Sequence, residues 1–493
     1  MSEGSVMPAW GTLSDRLDRL RRFRADLAAS EGAISSLIAE EIGKPRWESL
    51  TADFMPALAG IRWAEKNARR LLQPRKLTGG GMLGMGQRHV VSREPLGRVA
   101  IIATWNYPVG LLGVQLAQAL AAGNRVVVKP SEHCPRTQTA LLEIAQRHLP
   151  ENVLGWTEPT REAGAALLRD HDFDHVVFTG STGVGRSIAE ALAPSLTPST
   201  LELSGRDSAF VLEDANLKVA ARSIWFAATA NSGQTCMAPK RVLVEKPIYQ
   251  EFLRQIGLFA AGAAPKRIIS EAAASEAWSQ VERSLEAGAR LLSGVPEKPE
   301  GAWMRPCAVV DCPPDAEVVA GRNFAPVFAV VPVDDVNQAL EIHATCDQHL
   351  ATSVFTRRTR WARAVLAPRL GAHTVTINDA IIPTAHPAAS IGGVGASGWG
   401  ESQGEAGLLK MTRPVSVSTT STWLRPPLDV PSPGRLAMMV KWVGRMFDAD
   451  KGTPIDLGST AAPRQSQIHE AKQPHTSEGA PDAHEVQPAE AAT

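Results

Sequence analysis

Apolar positions recur with two different periods along this chain. Leu13, Leu17, Leu20 and Phe23 return every three or four residues among arginines, and Ile34, Leu37, Ile38 and Ile42 repeat the spacing until Gly43 and Pro45 stop it. Residues 13–72 therefore read as two or three amphipathic helices of a packing layer. Gly79-Gly80-Gly81 breaks the chain, and 88–95 reads as an outlying strand. From 97 to 215 short apolar runs alternate with helical stretches, with strands predicted at 97–104, 125–128, 176–179 and 208–212 and helices at 108–122, 135–148 and 184–193. Such alternation marks βαβ units on a parallel sheet. A helix carrying Trp225 and Phe226, a small polar loop, a strand at 241–245 and a further helix follow, and 263–300 reads as Ala-rich helix ending at Gly294 and Pro296. Strands at 329–333, 353–356 and 373–377 mark a second α/β domain, 391–400 is a Gly-rich loop, and 414–420 is a last strand. The fold class is α/β, with doubly wound parallel sheets. A Pro-rich stretch (425–433), an amphipathic stretch (435–447) and a tail (455–493) rich in Ala, Pro, Glu, Gln and Ser close the chain; the tail is expected to be disordered.

Charge narrows the function. The 51 Lys and Arg balance 51 Asp and Glu, so no basic field draws nucleic acid and small-molecule chemistry fits best. Cys134, Cys236, Cys307, Cys312 and Cys346 are scattered, without a CxxC pair or clustered histidines, so neither a disulfide framework nor a metal site is expected. The N-terminus lacks the apolar core of a signal peptide, and a cytoplasmic protein is expected.

Candidate chemistry concentrates between 202 and 236. Leu201-Glu202-Leu203-Ser204-Gly205-Arg206 sets a carboxylate at the end of an apolar run, and Asn231-Ser232-Gly233-Gln234-Thr235-Cys236 sets a cysteine after a loop rich in backbone donors. That is equipment for thiol catalysis followed by hydrolysis, although a lone cysteine is also a common small core residue. Gly180-Ser181-Thr182-Gly183-Val184-Gly185-Arg186-Ser187 follows a predicted strand and suits a pyrophosphate at a helix N-terminus, or a simple tight turn. Arg186 stands where a Walker A lysine would be, which argues against nucleoside triphosphate hydrolysis. Thr104-Trp105-Asn106-Tyr107-Pro108 and Lys129-Pro130-Ser131-Glu132 both follow strands at the carboxyl edge, where open α/β sheets bind ligands. Lys129 and Glu132 could bracket a ribose, or belong to a solvated loop.

WNYP at 105–108, KPSE at 129–132, FTGSTGVG at 178–185, LELSGR at 201–206 and NSGQTC at 231–236 together resemble the ordered motifs of the NAD(P)-dependent aldehyde dehydrogenase superfamily. The resemblance runs from about residue 15 to 420. It implies that Cys236 is the nucleophile, that Asn106 and the backbone N–H of Cys236 hold the oxyanion, and that Glu202 activates water. It implies that Lys129 and Glu132 hold the adenosine ribose, with NAD favoured over NADP, and that Ser181 meets the pyrophosphate. Thr104, Trp105, Ser131, Gly180, Gly185 and Leu203 complete the implied cofactor set. The implied organisation is an NAD-binding domain (1–76 and 96–204), a catalytic domain (205–388), a return segment (389–410), a Pro-rich and amphipathic segment (423–454), and an arm (77–95 and 411–422) that pairs across subunits in a homodimer or homotetramer.

Departures accompany the match. Arg322, in Arg322-Asn323-Phe324-Ala325-Pro326-Val327, stands where the family has a glutamate that holds the nicotinamide ribose; Gly183, Ser204, Arg206 and Ser390-Ile391-Gly392-Gly393 also differ, and the interval from Cys236 to Phe324 is short. A catalytically impaired NAD-binding scaffold and a CoA-acylating enzyme are the alternative readings. Trp105, Tyr107, Trp225 and Phe226 suit an apolar tunnel or a core. Residues 435–447 suit a helix packed on its own subunit or a neighbour, or a membrane-surface contact.

Overall fold

Successive residues of a strand face opposite sides of a sheet, so an apolar run without alternation needs cover on both faces. The computed structural model, which describes residues 9–79, 86–170, 172–293, 297–421, 431–448 and 452, provides that cover. A six-stranded sheet runs in the order Gly398–Trp399, Ser199–Glu202, His175–Thr179, Arg98–Ile102, Arg125–Lys129, Leu154–Trp156, parallel except at the first pair. Val99, Ile101, Val126, Val128 and Val177 pack one face against the helices Leu13–Ala29, Met55–Leu72, Gly110–Ala122 and Pro135–Gln146. Ala100, Ile102, Val176 and Phe178 pack the other against Leu167 of Arg161–Asp170 and against Ile188 and Leu192 of Thr182–Leu192. The strand Leu154–Trp156 and the helix after it carried too short a pattern to be predicted.

A second, seven-stranded sheet runs Arg290–Leu291, Cys307–Val310, Val327–Val333, Pro239–Glu245, Asp207–Val211, Ala351–Phe355, Thr374–Ile377, parallel except at its first pair. Phe210, Leu243 and Val331 fill one face, and Ala209, Val211, Val242 and Val330 the other. The Ala-rich helix predicted over 263–300 is confined to Glu271–Glu286. Ser270 caps its start by accepting from the Ala273 N–H, and Lys266–Arg267 before it pairs as a short strand. Backbone pairing and a capping serine override composition there.

The two outlying strands form one ribbon within a single chain. Gln87–Pro95 pairs antiparallel with Thr412–Thr420 over nine residue pairs, and Arg75–Lys76 lines its other side. The described residues from 431 onward belong to a separate unit. Its helix, Pro433–Met446, exposes Leu436, Met439, Val440 and Val443. No helix among the described residues is long and apolar enough to cross a membrane. The predicted breaks at Gly79-Gly80-Gly81 and Gly294–Pro296, the Pro-rich 425–433 and the tail 455–493 lie wholly or partly outside the described residues.

Asn124 ties the residue before the strand Arg98–Ile102 to Met411, which lies far along the chain. It is fully buried. Its Oδ1 accepts from the Gly97 N–H (2.9 Å), and its Nδ2 donates to the Ala119 and Met411 carbonyls (3.1 and 2.9 Å). Replacing it with Leu strands the Gly97 N–H and the Met411 carbonyl, whereas the Ala119 carbonyl keeps the Asn124 backbone N–H (3.1 Å). Asn124→Leu is expected to lower stability by about 2–4 kcal/mol in urea titrations; a loss under about 0.5 kcal/mol would contradict this role.

Candidate active site

The cysteine loop is built on backbone that most residues avoid. After the helix Leu217–Thr229, Asn231, Ser232 and Gly233 have φ of 50, 58 and 71°. A non-glycine residue held there costs on the order of 1–3 kcal/mol, so the turn needs fastening. Asn231 Nδ2 donates to the Asn106 and Gln234 carbonyls (2.8 and 3.1 Å), and the Ile269 N–H donates to Gln234 Oε1 (2.7 Å). Lys240 Nζ reaches the Gly233 and Ala325 carbonyls (3.0 and 2.6 Å). Burial pulls the pKa of Lys240 down to about 7, and a neutral amine has two N–H donors for those two carbonyls. A Cβ on Gly233 would lie 2.4 Å from the Ala325 backbone, so only glycine fits.

Asn106 approaches from the carboxyl end of Arg98–Ile102. Thr104 Oγ1 donates to its Oδ1 (3.1 Å), which orients the amide so that Nδ2 points at the cysteine loop and donates to the Gln234 carbonyl (3.1 Å). Next to it Tyr107 and Thr235 share a hydroxyl hydrogen bond of 2.5 Å. Below lies a support that the sequence reading missed. Lys44 and Asp53, both without side-chain exposure, form an ion pair. Lys44 also donates to the Asn106 carbonyl (2.7 Å), and Asp53 Oδ1 accepts from the Val109 and Gly110 N–H groups (3.2 and 3.0 Å) at the start of the helix Gly110–Ala122. The only sequence signal was a lysine in the stop between two helices, where a solvated side chain is the ordinary outcome.

Glu202 ends the strand Ser199–Glu202. Its carboxylate accepts from Thr179 Oγ1 (3.3 Å), Gln115 Nε2 (3.4 Å) and Ser402 Oγ. Burial nevertheless pushes its pKa up to about 7, those three bonds opposing the rise only in part. The Cys236 thiol is pushed up to about 12, first by burial and then by the charges of Glu202 and Asp207, against the pull of the Cys236 and Met237 N–H groups. Gly205 explains the turn between the two: a Cβ there would lie 2.4 Å from the Cys236 carbonyl oxygen.

The remaining predicted residues sit at the carboxyl edge of the first sheet. Lys129 Nζ pairs with Glu132 Oε2 (2.6 Å), and Arg161, not anticipated from sequence, reaches Oε1 (3.3 Å). Partial burial raises the Glu132 pKa, but Lys129, its own backbone N–H and Arg161 together outweigh it and hold the carboxylate down to about 2. The Ser131 N–H is held by Gln138 Oε1 (2.7 Å). Ser181 caps the helix Thr182–Leu192 by accepting from the Val184 N–H (3.3 Å). Gly185 allows that helix to press on Leu203, since a Cβ there would come within 2.4 Å of it, and Gly180 similarly clears the Phe178 ring. Space around Gly183 is open, so its departure from the family pattern disturbs no packing.

Residues 5–417 match the family described as "Aldehyde dehydrogenase family". The chain belongs to that family. It is 33% identical over 380 residues to a probable coniferyl aldehyde dehydrogenase of Pseudomonas aeruginosa, covering 75% of this chain and 79% of the relative. Among solved structures it is similar to a Mycobacterium tuberculosis aldehyde dehydrogenase complexed with NAD+ (28% identity, TM-score 0.78, 86% of this chain and 88% of that one). It is also similar to an NADP-dependent glyceraldehyde-3-phosphate dehydrogenase from Bacillus halodurans complexed with NADP (30% identity, TM-score 0.78, 84% and 88%).

Members of the aldehyde dehydrogenase family use nicotinamide cofactors, and this chain fits one unevenly. A capped helix N-terminus of an eleven-residue helix and an ionised Glu132 suit a pyrophosphate and a ribose. At the other end Arg322 lies 3.5 Å from Asp347, turned into an ion pair near the surface, and supplies no carboxylate. Phe324 from the same segment packs edge-on to Trp105, ring centroids 5.7 Å apart. Trp105 and Trp225 are therefore not tunnel walls: the first packs on Phe324 and His133, the second on Phe328. Tyr107 and Phe226 do line a cavity at Cys236. Lys44→Met would leave Asp53 as a buried charge without its cation and is expected to cost about 3–5 kcal/mol in denaturant titrations. Wild-type stability in that variant would show that the pair does not brace the site.

Proposed function

We propose that this chain oxidises an aldehyde to the carboxylic acid with NAD as hydride acceptor. The observation that carries the reading is the meeting of the Asn106 amide and the cysteine loop beside a buried carboxylate, Glu202, whose pKa is raised to about 7. A thiol pushed up to about 12 is protonated at neutral pH, so a neighbouring base has to take its proton. Glu202 is that base. The Cys236 sulfur then bonds to the aldehyde carbon, and the carbonyl oxygen becomes an oxyanion held by Asn106 Nδ2 and the Cys236 N–H. NAD, when bound, supplies the acceptor for the hydride that this carbon loses. Glu202 releases the thiol proton to solvent and then deprotonates a water that attacks the resulting thioester carbon; the S–C bond breaks, the acid leaves, and the sulfur takes the water's proton back from Glu202. Because Glu202 activates water, turnover needs no CoA.

The cofactor preference rests on Glu132. A carboxylate held down to about 2 accepts hydrogen bonds from ribose hydroxyls and repels a 2′-phosphate. Arg161 beside it softens that repulsion, so the preference for NAD is one of degree.

Cys236→Ser is expected to abolish NADH formation, and Asn106→Ala to lower kcat by about 100- to 1000-fold. Undiminished turnover in either would remove that residue from the mechanism. Since the base form of Glu202 is the active one, kcat should rise with pH through an apparent pKa near 7. A rate flat between pH 5.5 and 8.5 would assign the base elsewhere.

A further inference from the structure

We propose that the site takes a neutral aldehyde with an apolar tail, an aryl group or a chain of about eight carbons, and turns away aldehydes that carry a second charge. This rests on the aldehyde-oxidation reading and names the substrate class of the same site. A cavity of about 370 Å³ opens at Cys236, and its walls include Leu111, Phe226, Met237, Ile381 and Ile382. At about 30 Å³ per heavy atom it holds roughly a dozen of them, which places it at the small end of ligand pockets.

Among its described lining residues no Lys, Arg, His, Asp or Glu appears. The polar ones are already engaged. Thr51 donates to the Trp47 carbonyl (2.8 Å), Thr384 to the Ile381 carbonyl (2.6 Å), and Gln403 Nε2 to the His386 carbonyl (2.7 Å), while Tyr107 and Thr235 bond each other (2.5 Å). One hydroxyl hydrogen of that last pair and one amide hydrogen of Gln403 are left over. Two neutral donors do not compensate a buried carboxylate or phosphate, whose desolvation demands a cation. The mouth has the same character. Phe226 and Ile382 line the cavity and yet are 42% and 64% exposed, so an apolar tail covers them as it enters.

The test measures kcat/KM of the full chain with NAD for straight-chain aldehydes from propanal to decanal, and for succinic semialdehyde, which matches butanal in length but carries a carboxylate. Each added methylene should raise kcat/KM about fourfold until about eight carbons, and succinic semialdehyde should fall at least about 100-fold below butanal. Ile382→Arg, an exposed change at the mouth, should raise the use of succinic semialdehyde about tenfold and lower that of octanal. A flat chain-length series, or equal use of succinic semialdehyde, would overturn the substrate class and leave aldehyde oxidation standing. If no aldehyde were oxidised, the reaction would be the failed part, and the cavity would be judged by protection of Cys236 from iodoacetamide. Alkyl amides should then protect better as they lengthen and succinamate should not; equal protection by both would overturn the class.

Discussion

Everything at this site depends on a reciprocal clasp between two loops that belong to different sheets. Asn106, from the first sheet, donates to the Gln234 carbonyl, and Asn231, from the cysteine loop, donates back to the Asn106 carbonyl. The cysteine loop passes through three left-handed residues and is pinned by Lys240 to the Ala325 segment. The Asn106 loop rests on a buried Lys44–Asp53 pair that also anchors the start of a helix carrying Gln115, a donor to Glu202. Strain in one place is thus offset by polar bonds made in several others.

Two carboxylates show how environment divides the work. Glu202 is buried and hydrogen-bonded only to neutral side chains among the described residues, so burial lifts it to about 7, where it can take and return protons. Glu132, partly open and flanked by Lys129 and Arg161, is held down to about 2 and remains a fixed negative charge. The first suits proton transfer and the second recognition. The same dryness that raises Glu202 raises Cys236, and it makes the adjoining cavity a poor host for any charged substrate tail.

The parts legible from sequence were those whose physics is local or periodic. Strands such as His175–Thr179 announce themselves because both faces are buried, and Cys236, Glu202 and Asn106 stand in motifs whose spacing is distinctive. The second-layer supports were not legible, because each is one polar residue whose partner lies far along the chain: Lys44 meets Asn106 across 62 positions, and Lys240 meets Ala325 across 85. Aromatic residues left tunnel and core both open for the same reason. Trp105 and Trp225 sit beside Tyr107 and Phe226 in sequence but turn into separate packing contacts, and only a fold decides which neighbour faces the cavity. Composition misled over 263–300, where alanine content suggested helix but a capping serine and strand pairing set the boundaries.

The division of roles between Cys236 and Glu202 can be caught in a single turnover. Glu202→Gln, mixed with octanal and NAD, quenched and digested, would be read by mass spectrometry of the peptide containing Cys236. The account predicts that an octanoyl thioester and its one NADH per site form much more slowly than in the wild type, because the residue that takes the thiol proton is gone, and that the thioester then persists with little further turnover, because the same residue activates water. Steady NADH production with no acylated Cys236, or an acyl group on another residue, would contradict it.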